Sequence, residues 1–203
     1  MKVLVTGGAG YIGSTICSAL EDNNHVPVIM DSLVNGSRTF TEGKKFYKAD
    51  ISDSKTLKEI FRDHKDIEAI IHCAALVIVP ESVLKPYLYY QENVSKSLEL
   101  FKFASDSKIK VIFSSTAAVY KSSKEQMVTE NSPLDPDSPY ARTKITMEMA
   151  LRDFCNAYDS RAISLRYFNP IGADPKMRSG PSAETPTHIL GKLLSIYEGK
   201  ESD

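Results

Sequence analysis

Short runs of aliphatic and β-branched residues recur along the chain, and longer amphipathic stretches separate them. Lys2-Val3-Leu4-Val5-Thr6 is the first run, and others fall at 25–30, 45–48, 69–73, 110–114 and 161–166. Most are apolar at successive positions, as in strands covered on both faces. Between them apolar residues return at helical spacing over about 12–23, 54–64, 86–107 and 139–157, and again over 188–198. Strand and helix in alternation predict an α/β fold with a doubly wound parallel sheet. Asp53 is placed to cap the second helix, and Ser138-Pro139 to cap the fourth with proline at its first position. The polar segment 121–137, with Pro133 and Pro136, reads as a long loop over the C-terminal edge of the sheet.

From Asp174 the pattern changes. Pro175, Pro181 and Pro186 interrupt a stretch without strand character, and one amphipathic helix follows with Leu190, Leu193, Leu194 and Tyr197 on a stripe. The expected division is a first domain over 1–173 and the incomplete beginning of a smaller, substrate-binding domain over 174–203. One helix cannot bury its apolar stripe alone.

Composition narrows the classes. The chain has 203 residues and a formal net charge of −1, with charges spread along it, so no basic footprint for nucleic acid is present. The longest apolar stretch, 69–80, is interrupted by His72 and is too short to span a bilayer. The glycine-rich turn that follows the first strand leaves no room for a signal-peptide core. Cys17, Cys73 and Cys155 are odd in number and lack metal-ligand spacing. The expectation is a cytoplasmic protein with reduced thiols and no metal, with no nucleic acid or membrane as partner.

The first strand runs into Gly7-Gly8-Ala9-Gly10-Tyr11-Ile12-Gly13, and a helical stretch begins at once. A strand that ends in a glycine turn at a helix N-terminus suits a pyrophosphate, because bare backbone and unpaired N–H groups both favour an anion. Gly7 and Gly8 permit the turn, Gly10 lets the backbone approach phosphate, and Gly13 lets helix pack closely on strand. The second strand ends in Asp31, 18 residues beyond Gly13. A carboxylate there accepts from an adenosine ribose and repels a 2′-phosphate, so the expected cofactor is NAD in a Rossmann-type domain. Arg38 nearby weakens the preference slightly.

Two further features carry chemistry. Tyr140 and Lys144 stand one helical turn apart, about 6 Å along the axis, just inside the capped fourth helix. Bringing a phenol from about 10 to near 7 takes roughly 4 kcal/mol, within reach of a close cation and a bound nicotinamide. Tyr140 would then serve as general base or acid. Ser114-Ser115-Thr116 emerges from the fifth strand at the edge where such sheets bind ligands, and a hydroxyl there can hold the substrate oxygen. Thr116 is the first choice and Ser115 the second.

Taken together, Val5 to Gly13, Asp31 to Gly36, Asp50-Ile51, Pro80-Glu81-Ser82-Val83, Tyr140 to Lys144 and the run Leu165 to Ala173 resemble the UDP-glucose 4-epimerase family. These enzymes are extended short-chain dehydrogenase/reductases, and the likeness covers nearly the whole chain. It implies NAD, a UDP-sugar substrate and a homodimer built on the helices 86–107 and 139–157. It places Tyr11 and Ile12 under the pyrophosphate, and Asp31, Ser32, Asn35 and Gly36 around the adenosine ribose. Asp50 and Ile51 would flank the adenine, with Asp50 accepting from its amino group. Cys73, Ala74, Ala75 and Val77 would run beside the nicotinamide half, with Asn93 and Phe168 near it. Thr116, Tyr140 and Lys144 match the catalytic trio. Asn169, His188 and Ile189 match contacts to the sugar nucleotide.

Three departures from the family pattern matter. Val77 stands where a lysine beside the cofactor is usual, and Lys121 where a glycine is usual. Family members also continue well past residue 203, so the likeness implies a chain cut short. A 4,6-dehydratase would need an acid/base pair after Thr116, and Ala117-Ala118 stand there instead. A non-catalytic NAD-binding module is the reading from a different class. Plain and N-acetylated sugars are left open.

Overall fold

The structure is a computed structural model, and it describes residues 1–121, 127–181 and 189–199. Six strands form one parallel sheet in the order β3-β2-β1-β4-β5-β6. They are β1 (Lys2–Thr6), β2 (Val26–Asp31), β3 (Lys45–Lys48), β4 (Ile67–His72), β5 (Lys110–Thr116) and β6 (Ala162–Tyr167). Strand order reverses between β1 and β4. At such a switch point the loops leave the sheet in opposite directions and open a crevice beyond the strands' C-terminal ends.

Alternation along the strands divides the core. Leu4, Val28, Met30, Ile70, Val111 and Phe113 point to one face, covered by α2 (Ser54–Asp63), α5 (Lys96–Asp106) and α6 (Pro139–Tyr158). Val3, Val5, Ile29, Ala69 and Ile71 point to the other, where Cys17 of α1 (Tyr11–Asp22) packs on them. The expected caps form. Asp53 accepts from Lys55 N–H and Thr56 N–H, and Ser138 accepts from Ala141 N–H with Pro139 at the first turn.

The expected helix 86–107 differs in form. It is α4 (Pro86–Tyr89), a π-helical turn over Tyr90–Ser95, then α5, and a further helix α3 (Val79–Leu84) precedes it. Pro80 at the start of α3 and Glu81 in its first turn are ordinary start signals. Read as part of the apolar run from β4, they escape notice. The loop after β5 folds back on itself, with Tyr120 bridged to Leu134 and Lys121 N–H donating to Pro133 C=O.

The stretch from Gly172 to Ser179 lies against α1. Tyr11 Oη donates to Gly172 C=O at 2.8 Å, Thr15 and Ser179 hydroxyls meet at 3.2 Å, and Arg178 bridges Asp174 and Asp22. Residues on both sides of the expected boundary at 173/174 are therefore tied to the first helix. Helix α7 (Ile189–Tyr197) shows Leu193, Leu194 and Tyr197 to solvent. Among the described residues no helix is long and apolar enough to cross a membrane.

Candidate active site

The turn after β1 is built around its missing side chains. Gly7 has φ +72°, and a Cβ there would lie 2.6 Å from Ala74 N; one at Gly13 would lie 2.2 Å from Gly7 O. At Gly10 a Cβ would lie 3.3 Å from Gly7 O, closer than ordinary van der Waals contact, so this position too is shaped to a bare backbone. Gly10 caps α1 without a side-chain hydrogen bond, and the first turn carries no acidic residue. The N–H groups of Tyr11, Ile12 and Gly13 thus open a helix whose cap and first turn supply no carboxylate. A dinucleotide pyrophosphate fits this cradle in shape and charge.

Asp31 does more than the sequence suggests. Its side chain is buried, one oxygen accepting from Ala9 N–H at 3.0 Å and the other from Leu33 N–H at 2.8 Å. It therefore braces the glycine turn, a role beyond the ribose contact expected of it. Ser32 and Asn35 are exposed on the same loop, and Gly36 fits against Ala9 and Asp31 where a Cβ would lie 2.8 Å from Ala9 Cβ. Ile51 is buried beneath that side of the crevice. Asp50 is held by Ser52 and by Lys96, whose Nζ lies 2.7 Å from it.

On the nicotinamide side, Cys73 N–H continues the β4 ladder to Thr6 C=O, and Ala74 lies under Gly7. Ala75 is half-buried, and Val77 is exposed. Burial pushes the Cys73 thiol up to about 12, so it is no nucleophile at neutral pH. Asn93 is fully buried in the π-helical turn. Its amide pairs with both Leu76 N–H and Leu76 C=O and reaches Thr143 Oγ1 at 3.2 Å. Both amide hydrogens are committed within the protein, so Asn93 acts on the crevice by fixing the loop 73–77 against α6. Beneath them His72 is fully buried between Thr6 Oγ1 and Ser97 Oγ, and burial pulls it down to about 3. It is neutral.

The trio converges at the end of β5. Lys144 is 2% exposed, and its Nζ donates to Ser114 C=O at 2.8 Å while lying 5.9 Å from the Tyr140 ring centroid. Burial among apolar neighbours lowers the ammonium to about 8. Tyr140 itself is pushed above the usual phenol range by burial, against the opposing influence of the Thr116 hydroxyl. The lysine alone does not bring the phenol below its usual range.

Ser115 points elsewhere. Its hydroxyl donates to Glu148, which Arg166 clasps with Nε at 3.0 Å and Nη2 at 2.6 Å while Nη1 reaches Tyr120 Oη. This buried network ties β5, β6 and α6 together behind the crevice. Sequence reading missed it because the partners are far apart along the chain. Only the helix-face relation of Glu148 to Lys144 could have hinted at it.

Phe168, 71% exposed, is no core residue, and Asn169 is exposed beside it. His188 lies outside the described residues, and Ile189 begins α7.

A model of the NAD dependent epimerase/dehydratase family matches residues 3–201. The UDP-glucose 4-epimerase of Azospirillum brasilense is 41% identical over 201 residues, covering 98% of this chain and 58% of that protein. The crystal structure of UDP-glucose 4-epimerase from Brucella ovis in complex with NAD superposes with a TM-score of 0.93 at 34% identity, covering 98% of this chain and 62% of that one. A UDP-N-acetylglucosamine 4-epimerase from Methanobrevibacter ruminantium superposes at 0.84 with 34% identity, covering 98% and 63%. The chain spans about three fifths of the length of these relatives.

Proposed function

The chain belongs to the NAD dependent epimerase/dehydratase family, and from that premise we propose that, as part of a protein as long as its relatives, it serves to interconvert UDP-glucose and UDP-galactose at C4 through a transient 4-keto sugar. The observation that carries the proposal is the meeting of Thr116, Tyr140 and Lys144 at the end of β5, across the switch point from the glycine cradle. In this reading residues 1–173 hold the cofactor and residues from 174 onward begin the sugar-nucleotide side. The glycine turn and Asp31 would hold NAD, which would supply the reversible hydride acceptor that C4 chemistry needs.

Tyr140 Oη removes the 4-hydroxyl proton and later gives it back. Thr116 holds the same sugar oxygen and so fixes the distance over which the proton moves. Lys144, anchored to Ser114 C=O, keeps a cation near the phenol ring, and a bound nicotinamide would add positive charge there. The two together must offset the burial that raises Tyr140 in the free protein. Glycine backbone, Asp31 and Asp50 orient the dinucleotide, while Phe168 and Asn169 serve the sugar side, a role the resemblance also gives to His188 and Ile189.

Dehydration is the weaker reading, because Ala117-Ala118 put no carboxylate beside Thr116. A purely NAD-binding role would leave the Tyr140 and Lys144 arrangement without a use. The homodimer would form on the helices over 86–107 and 139–157, where Tyr87, Tyr90 and Met149 are exposed, and the compartment would be the cytoplasm. The test is to supply the full-length protein with UDP-galactose and, separately, UDP-N-acetylgalactosamine. UDP-glucose as the faster product supports the reading; conversion of the N-acetylated sugar alone replaces the substrate, and no conversion of either overturns it.

A further inference from the structure

Lys96, at the start of α5, donates to two carboxylates at once. Its Nζ lies 2.7 Å from Asp50 Oδ2 and 2.6 Å from Glu92 Oε2. The other oxygen of Asp50 accepts from Ser52 N–H at 2.9 Å and Ser52 Oγ–H at 2.7 Å. Donors on two sides therefore fix the plane of this carboxylate, and its side chain stays 38% exposed. Each carboxylate oxygen can accept two hydrogen bonds. Among the described residues Oδ2 takes only Lys96, so one acceptor direction is left for a ligand donor.

The chemistry of that ligand follows from the sign of the group. An ionised carboxylate accepts from an amino group and repels a carbonyl oxygen. Burial alone would push Asp50 toward its neutral form, in which it would also donate. Hydrogen bonds from Lys96 and Ser52 outweigh the burial and hold the carboxyl below its usual range. Glu92 sharpens the dependence on Lys96, because both carboxylates rest on one ammonium. Without it, two like charges face each other across the same gap, and the Asp50 carboxylate swings away or takes a proton.

We propose that Lys96 is a positioning residue for the adenine of NAD, holding the Asp50 carboxylate as a fixed acceptor so that the site prefers a 6-amino over a 6-oxo purine. The inference rests on the reading that Asp50 faces the adenine amino group. Lys96 itself touches no part of the cofactor. Its effect is on selectivity at one edge of the purine, which a general structural brace would not influence.

The experiment titrates the 203-residue chain with NAD and with nicotinamide hypoxanthine dinucleotide, which carries an oxo group in place of the amino group, by calorimetry. One well-placed hydrogen bond to a charged group corresponds to a preference of about tenfold for NAD. Lys96→Met should bring that ratio to about twofold or less, as should Asp50→Ala, while Lys96→Arg should keep most of it. A ratio unchanged in Lys96→Met but lost in Asp50→Ala overturns the role of Lys96 and leaves Asp50 at the adenine. Equal weakening of both dinucleotides by Lys96→Met also overturns it, in favour of a brace. No preference in the unsubstituted chain, or one that survives Asp50→Ala, removes Asp50 from the adenine and the proposal with it.

Discussion

Beneath α2, α5 and α6 the sheet buries Phe101, Phe113, Leu100 and Met147 completely, whereas on its other face Ile163 of β6 stays 56% exposed. Ile163 is the register partner of Ile112, and both lie on the face that α1 covers near β1 and β2. The difference follows the two halves of the proposed reaction. Three side chains of the cofactor half are anchored inside the chain: Asp31 on Ala9 and Leu33, Asn93 on Leu76, Lys144 on Ser114. On the sugar side Phe168, Asn169 and Ile171 stand open. Preorganisation thus belongs to the half proposed to hold NAD, and the half proposed to receive a sugar nucleotide is the open one among the described residues.

The most severe way to break this contrast is to ask the chain for turnover. The 203-residue protein should bind NAD yet convert UDP-galactose below detection, because remote contacts that would position C4 are few on this chain. Conversion at the rate of a relative of full length would show that the sugar half is complete as it stands. At the seam between the halves, Tyr140→Phe in the full-length protein should lower kcat by about 10²–10⁴-fold, the usual cost of losing an acid–base group. NAD affinity should hardly move, since the phenol hydroxyl is the only atom removed. A variant with near-normal kcat would take Tyr140 out of the reaction.

The strands were legible in the sequence because successive buried positions require unbroken apolar runs, as in Ile70-Ile71 and Val111-Ile112-Phe113. Caps were legible because Asp53 and Ser138 act within three residues of themselves. What stayed hidden depends on contacts between distant residues. Nothing local distinguishes Ser115 from Thr116; only the Glu148 and Arg166 pair behind β5 draws one hydroxyl away. The buttress that Asp31 gives Ala9, and the commitment of Asn93 to Leu76, are likewise invisible before the chain folds. The π-helical turn around Asn93 has no signature in a 3.6-residue period.

A paired substitution sharpens the contrast at the level of backbone. A Cβ at Gly13 would sit 2.2 Å from Gly7 O, whereas one at Gly172 would meet nothing within 4 Å. Gly13→Ala must displace the cradle, and NAD affinity should fall by at least about a hundredfold with several kcal/mol lost from stability. Gly172 has φ +102°, so Gly172→Ala carries only the strain of that conformation, about 1–2 kcal/mol, and leaves NAD binding nearly intact. Calorimetric titration and urea unfolding read both quantities. Similar losses from the two variants would mean that the open side is as tightly determined as the cradle.

The smallest effect concerns Lys144, a cation held in the built half without a carboxylate partner. An unfolded lysine titrates near 10.5 and the folded Lys144 near 8, because burial disfavours its charge. Below pH 8 both states carry the proton, and the full cost of burying it weighs on the fold. Between the two values the unfolded chain binds more protons than the folded one, so this contribution to stability rises with pH. Lys144→Met abolishes that cost, worth about 3 kcal/mol, but leaves Ser114 C=O without its donor, a loss of about 1 kcal/mol. At pH 7, with no dinucleotide added, the variant should therefore be more stable than the parent by about 2 kcal/mol. By pH 10 the gap should close, since little of the parent's cost remains while the missing hydrogen bond still counts. Urea unfolding of both proteins at the two pH values measures it. An equal gap at each would mean that Lys144 is not a strained cation, and that the built half stores no instability at its catalytic end.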